Sequence, residues 1–242
     1  MKNTIKYILQ KLFGFRTYLY VFSQFKIKTL KNDKKEGHFF QFMAELKDGN
    51  GDILDVGANI GIMSHHLAKQ FPKATIHAFE PMPDNLAVLN KIIHKNKLEN
   101  VIVYDYAVGD TESMVKMILP ENGKTKEQGL SHVKHDSITE WNDGIEFEVA
   151  CKRLDEILKG KNIQGIKMDV ENFEFFALKG AENLLKTQQP IIYTELWDNE
   201  NRKKCFHLLK TIGYKAYVVE NETLVLHQID KHTQQNFIFI AN

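Results

Sequence analysis

From Asp52 onward the apolar residues come in short runs separated by stretches with helical spacing. Runs near 52–56, 74–79, 101–105, 163–168, 190–194, 214–219 and 236–240 predict seven strands. Periodic stretches near 61–70, 83–95, 173–186 and 199–211 predict helices between and beside them. Such alternation is the pattern of a mostly parallel sheet flanked by crossover helices, an α/β architecture. A turn at Asn221-Glu222 points to antiparallel pairing at one end of that sheet. Residues 1–48 read differently. Ile5, Ile8, Leu9 and Leu12 fall at helical spacing with lysines on other faces, and 38–46 forms a second periodic stretch. Residues 106–162 also break the alternation, with strand-like runs at 114–119 and 146–151 around a polar stretch from 121 to 143. So long an insertion with a polar middle is expected to fold over a site as a lid.

Composition adds bounds. The 242 residues suit one main domain over 49–242 with a helical basic extension over 1–48, and 43% hydrophobic residues permit a sizeable core. The net charge of +1 hides an asymmetry: residues 1–35 hold nine Lys and Arg against the single acid Asp33, and the rest is net acidic. Lys2, Lys6, Gln10, Lys11 and Arg16 interrupt the apolar positions, leaving no signal-peptide core and nothing near the ~20 apolar residues that span a bilayer. The expectation is a soluble, cytoplasmic protein. Residues 1–35 are then a surface for peripheral membrane contact, or a helix packed on the main domain or on another subunit of a homo-oligomer. Cys151 and Cys205 form no C-x-x-C pair, which weighs against a disulfide framework or a zinc site.

Five successive strands end in, or run into, an acid: Asp55, Glu80, Asp105, Asp169 and Glu195. In an open parallel sheet these ends share one edge, where ligands bind. One such acid is commonly a helix cap; five together favour a polar site. The first end is the sharpest, because Gly57-Ala58-Asn59-Ile60-Gly61 turns the strand into a helix. Gly57 permits a tight turn and close approach of a ligand, Asn59 tolerates left-handed geometry, and the helix N-terminus beyond Gly61 offers N–H groups to a carboxylate. A dinucleotide fingerprint would need glycine at Asn59 and at Ile62. Glu80 stands where nucleoside-binding α/β folds place an acid on the ribose hydroxyls, with Pro81 and Pro83 ending the strand. Asp105 and the backbone around Tyr106-Ala107 are expected at an adenine edge. This combination points to S-adenosyl-L-methionine bound through Asp55, Gly57, Ala58, Asn59, Gly61, Glu80, Pro81, Asp105 and Ala107.

These residues resemble the FkbM family of S-adenosylmethionine-dependent methyltransferases. The matching pieces are 54–61, 78–85, Ala107-Val108-Gly109-Asp110, Leu154-Asp155, 166–171 with Glu174, and Glu195, so the likeness covers residues 50–240. One departure is Asn172, where the family pattern has glycine. The resemblance implies a Rossmann-like methyltransferase fold with a seven-stranded sheet. It also implies O-methylation, often of a sugar hydroxyl on a glycan or related small molecule.

Methyl transfer to oxygen needs alignment and a destination for the hydroxyl proton. Asp169, Glu171 and Glu195 are the candidate carboxylates. His132, or His135, in the insertion is a candidate base, since a histidine pKa near ~6.5 suits proton abstraction. A divalent metal is the other route to an acidic hydroxyl. Set against these roles, Asp169 is also a good N-cap, and Glu171 and Glu174 suit a first helical turn. Enzymes that methylate amino groups of bases resemble one another in an Asn/Asp-Pro-Pro-Tyr/Phe element here. This chain has Asp169-Val170-Glu171-Asn172, which disfavours a nucleic-acid acceptor. The basic N-terminus keeps nucleic-acid methylation and non-catalytic docking as competing readings.

Overall fold

The strand-end acids line up because the strands they follow are parallel neighbours. The computed structural model describes residues 2–33, 36–122, 125–138, 140–229 and 231–241, with side chains from residue 6 onward. Lys2 and Ile5 of the first periodic stretch therefore lie outside the described side chains. The chain opens with α1 (Lys2–Phe13), α2 (Phe15–Thr29) and α3 (Gly37–Glu45). β1 (Asp52–Val56), α4 (Ile62–Gln70), β2 (Ile76–Phe79), α5 (Pro83–Asn96) and β3 (Val101–Tyr104) follow. The insertion folds as β4 (Ala107–Val108), β5 (Ser113–Asn122), β6 (Thr125–Lys126), β7 (His132–Val133) and β8 (Gly144–Lys152). The chain then returns through α6 (Leu154–Ile157), β9 (Ile163–Met168), α7 (Glu174–Lys179), α8 (Glu182–Gln188) and β10 (Ile191–Glu195). It finishes with α9 (Glu200–Ile212), β11 (Tyr214–Glu220), β12 (Thr223–Leu226) and β13 (Asn236–Ala241).

The main sheet has the order β12-β11-β13-β10-β9-β1-β2-β3. All seven predicted strands are present in it, and β13 runs antiparallel to both β10 and β11. The eighth strand, β12, escaped the sequence pattern because it is four partly exposed residues with no apolar alternation. Asn221 (φ 50°) and Glu222 (φ 62°) form a two-residue turn with both φ positive, the geometry that suits a hairpin. The turn therefore joins β11 to β12 and not to the last strand.

The helix predicted over 173–186 is two helices. At Gly180 the chain passes so close to the Gly109 carbonyl that a Cβ would lie 1.9 Å from it, and α7 ends there. The Asp155 carboxylate then accepts from the Asn183 and Leu184 amides at 3.1 and 2.9 Å, starting α8 afresh. Gly109 and Asp155 are thus scaffold residues that join the insertion to the junction of α7 and α8.

The extension shares the main core. Leu30, Phe39, Phe42, Met43 and Leu46 pack with Ile53, Ile76, Tyr193 and Ile238 in one buried cluster. A Cβ at Gly165 would strike Leu46 and Phe42, so β9 is bare where α3 lies on it. Among the described residues no helix is long and apolar enough to cross a membrane.

Gly57 has φ +76°, and a Cβ on it would lie 1.9 Å from the Asp169 carbonyl oxygen. What approaches this glycine is the end of β9. Gly57→Ala is expected to cost more than ~3 kcal/mol, a steric clash added to a left-handed penalty. Gly160→Ala, also at positive φ but with open space around its Cβ, should lose only the ~1–2 kcal/mol of conformational strain. Urea denaturation midpoints compare the two, and equal losses would refute the close-contact argument.

Candidate functional site

The register places Val56 beside Phe79 and Met168, Phe79 beside Tyr104, and Thr194 beside Met168. The next residue on each strand is therefore Gly57, Glu80, Asp169, Asp105 or Glu195, in one row along the carboxyl edge. Between this row and the insertion lies a cleft of about 580 Å³, its open mouth included. A second cleft of about 630 Å³ adjoins it on the side of the extension. Gly57, Asn59, Gln128, Gly129 and Asp169 line both.

The glycine loop takes left-handed geometry at Gly57 (φ 76°), Asn59 (φ 49°) and Gly61 (φ 79°). Its amides at Gly57 and Ala58 donate to the Phe79 carbonyl at 3.0 and 2.9 Å. α4 then begins at Gly61 with no side-chain cap, so its first N–H groups are open to a ligand. Ile62 and Met63 of that turn line the second cleft.

Asp55 does not reach either cleft. It is fully buried, its carboxylate accepting from the Ser64 hydroxyl at 2.5 Å and pairing with Lys167 at 3.1 Å. The Lys167 ammonium also donates to the Gly57 carbonyl at 2.7 Å. Burial opposes the charge on Lys167, but Asp55, Asp169 and Glu80 outweigh it and raise the pKa. Asp55 shapes the loop from beneath. Its place at the end of β1 follows from the sequence; only packing reveals that the side chain turns away from the clefts, so it does not line the cofactor site expected of it.

Glu80 is buried and lines the first cleft. Its carboxylate accepts from the Asn59 amide at 2.8 Å, the Met82 amide at 2.9 Å and the Asn85 side chain at 3.3 Å. Burial pushes its pKa up to about 7 against those hydrogen bonds. Pro81, Tyr106, Ala107 and Val108 continue the wall, whereas Asp105 is exposed and outside it. The roof comes from the insertion: Met117, Gln128, Gly129, Ser131 and Val133. Three buried polar atoms around the clefts, Asn59 Oδ1, Gln128 Oε1 and Ser131 Oγ, have no hydrogen-bond partner. Gln128 and Ser131 carry no sequence signal, because a polar residue in a polar loop looks like any other.

His132 sits between Ser131 and Val133, and strand alternation turns its ring to the other side. There Nδ1 meets the Leu130 carbonyl at 2.8 Å and Nε2 meets Asn142 Oδ1 at 3.2 Å. His135 rests against the Phe176 and Phe173 rings.

The fourth and fifth strand ends gather carboxylates. Asp169 lines both clefts and Glu171 the first. Burial, then repulsion from Asp169, Glu174 and Glu195, holds Glu171 well above the usual carboxylate range. Burial, then Asp169 and Glu36, raises Glu195 to about 7. Glu174, which burial raises to about 8, accepts from the Val170 amide at 2.9 Å. Glu171 (φ 52°) and Asn172 (φ 75°) are both left-handed. The Asn172 amide oxygen accepts from Asn199 at 2.8 Å, so the residue that replaces glycine also ties this turn to α9. Among the described residues no group of three or more His, Cys, Asp or Glu could hold a metal ion, so the donors here do not fit one.

The donor set does fit S-adenosylmethionine. A buried carboxylate is ready for ribose hydroxyls, apolar walls of Phe79, Met82, Tyr106 and Val108 suit a base, and uncapped amides suit a carboxylate. The acids around Asp169 suit a cation.

The comparisons with known proteins agree. The methyltransferase FkbM domain model matches residues 55–224. Methyltransferase 1 of Beauveria bassiana (strain ARSEF 2860) is 24% identical over 145 residues, covering 54% of this chain and 58% of the relative. Methyltransferase sdnD of Sordaria araneosa is 28% identical over 158 residues, covering 55% and 61%. The chain thus spans about three-fifths of the length of these curated relatives. The crystal structure of a methyltransferase FkbM from Methylobacillus flagellatus KT superposes with a TM-score of 0.55 at 14% identity, covering 81% of this chain and 45% of that one. The fold is the Rossmann-like methyltransferase fold, and with the domain model matching most of its length the chain belongs to the FkbM methyltransferase family.

Proposed function

We propose that the protein transfers a methyl group from S-adenosylmethionine to a hydroxyl oxygen of a sugar or related small molecule. The observation that carries this reading is the cleft itself. Glu80 stands at one end, Asp169 and Glu171 stand at the other, and the insertion roofs both.

When bound, S-adenosylmethionine supplies an electrophilic methyl carbon on a cationic sulfonium, and the attacking oxygen displaces a neutral thioether. Glu80 accepts hydrogen bonds from the ribose hydroxyls. Asp169, at the meeting point of the two clefts, faces the positive charge. Glu171 starts protonated because burial, and then the like charges around it, oppose its ionisation. A cation beside Asp169 favours its ionised form, and the carboxylate then takes the hydroxyl proton as the new C–O bond forms. The insertion and the extension exclude water and hold the acceptor in line, positioning that supplies about 7–11 kcal/mol in favourable cases. Oxygen is favoured over a base amino group because the acceptor end offers carboxylates and no stacking Pro-Pro-aromatic element.

Calorimetry should show S-adenosylmethionine binding that strengthens as pH rises through 7. Glu80 and Glu195 both sit at about 7 in the free protein, and ribose hydroxyls and a cation each favour the ionised form. Binding therefore releases protons. S-adenosylhomocysteine lacks the sulfonium charge and should keep only the Glu80 part of this slope. Glu195→Gln should narrow the gap between the two slopes, the remainder being the proton that Glu171 releases in response to the same cation, and no binding by folded protein would end the proposal.

Labelled methyl transfer tests the acceptor. Label is expected in glycan or saccharide-bearing lipid fractions, and label in RNA or DNA alone would sink the reading. With the acceptor found, Glu171→Gln should lower turnover about 10²–10⁴-fold while changing donor affinity little.

A further inference from the structure

Residues 1–54 lie outside the family match, yet they complete the second cleft. Phe22, Lys26, Leu30 and Glu36 face the glycine loop across it, and Lys167 and Asp169 also line it. The approach is held closely: the buried Ser23 hydroxyl donates to the Ile60 carbonyl at 2.9 Å, and Leu19 packs with Ile60 and Val88. Lys26 is anchored by an ion pair with Asp33 at 2.8 Å. The side of the loop opposite Glu80 is where the amino-acid end of the donor must lie if its ribose meets Glu80. That end carries a carboxylate and an ammonium. The cleft presents one charge of each kind from the extension, beside the uncapped start of α4.

We propose that the extension clamps the amino-acid end of the methyl donor, Lys26 holding its carboxylate and Glu36 its ammonium. The clamp rests on the methyl-donor reading above and adds a specificity element that the matched family region does not contain. Three ligands separate the two claims: S-adenosylmethionine, S-adenosylhomocysteine, and 5′-methylthioadenosine, which keeps the nucleoside but lacks the amino-acid end. Calorimetry should show Lys26→Met weakening the first two by about 10- to 100-fold, as for a charge-assisted hydrogen bond. Binding of 5′-methylthioadenosine should be unchanged, which also shows that the variant is folded. Glu36→Gln should behave likewise, and Lys26→Arg should recover part of the loss. If wild-type protein binds all three and Lys26→Met weakens none, or weakens all three equally, the clamp falls alone. If wild-type protein binds none of them, the methyl-donor reading falls with it.

The same helices leave an apolar face uncovered. Ile8, Leu9, Leu12 and Phe13 on α1, and Val21 and Phe25 on α2, are exposed, Leu12 by 71% and Phe13 by 60%. Another side of α1 is committed: Lys6 pairs with Glu127, and the Gln10 amide exchanges hydrogen bonds with the Lys126 backbone. Lys11, Lys28 and Lys31 are exposed beside the apolar residues, Arg16 is exposed but paired with Asp84 at 2.6 Å, and the sequence holds no acid before Asp33. A second copy of this face would bring cation against cation. Anionic headgroups over an acyl layer complement both parts of it.

We infer that α1 and α2 dock on an anionic bilayer surface. Since α1 is fastened to β6, two residues before Gln128 and Gly129 of the cleft roof, docking would bring the cleft rim to the headgroups, suited to an acceptor on a lipid. Co-sedimentation should show binding to vesicles of phosphatidylcholine with phosphatidylglycerol, weaker with added salt, and not to phosphatidylcholine alone. Leu12→Asp with Phe13→Asp should abolish it and leave S-adenosylmethionine affinity unchanged. Absence of binding, equal binding to both vesicles, or a dimer that these substitutions dissociate would each overturn it.

Discussion

Lys167 sits inside the sheet where β9 runs beside β1, its ammonium between the Asp55 carboxylate and the Gly57 carbonyl. A buried lysine is costly unless paired, and losing either partner of such a pair typically costs about 3–5 kcal/mol. Here the pair also has a geometric role. Asp55 holds Ser64 of α4 on its other oxygen, so one buried cation sets β1, β9 and the start of α4 in mutual register. Gly57 then lets the end of β9 come within contact of the loop, which brings Asp169 to the boundary between the two clefts. The glycine-loop side of the cleft and its Asp169–Glu171 side both stand on elements joined at this point.

The charge balance around that point is lopsided. Glu80, Glu171, Glu174 and Glu195 are all raised above their ordinary range by burial, and Asp169 crowds the last three. Such a cluster is unfavourable in the free protein and becomes favourable when a cation enters. Backbone strain is stored in the same place. Consecutive non-glycine residues at positive φ, Glu171 and Asn172, cost of order 1–3 kcal/mol each. Asn199 and Asn201 hold that turn through hydrogen bonds to Asn172 at 2.8 and 3.0 Å. Those hydrogen bonds hold Glu171 at the cleft wall against both the strain and the repulsion.

Two additions to the sheet close the site from opposite sides, and they are joined to each other. The insertion contributes Gln128 to Val133 as a roof, while α2 covers the glycine loop. Lys6 and Gln10 link α1 to residues 126 and 127, just ahead of that roof. These contacts fasten the two additions to each other beside the cleft.

Fold class, the seven main strands, the glycine loop, Glu80 and the row of strand-end acids were legible in the residues alone. Each follows from local rules: apolar periodicity, the need for left-handed residues at 57, 59 and 61, and the shared edge of parallel strands. β12 and the break between α7 and α8 were not legible, since a short exposed strand has no pattern and the break answers to Gly109, 71 residues away. Side-chain direction was the other blind spot. Asp55 turns beneath the loop, Asp105 stays at the surface, and His132 faces away from Ser131 and Val133. Gln128, Ser131, Lys26 and Glu36 enter the site from segments whose sequence shows only polarity or charge. Sequence alone determined which strand ends carry acids along one edge of the sheet, because that is a property of neighbouring residues. Tertiary structure decided which side chains reach the cleft, because that depends on contacts between residues tens to more than a hundred positions apart.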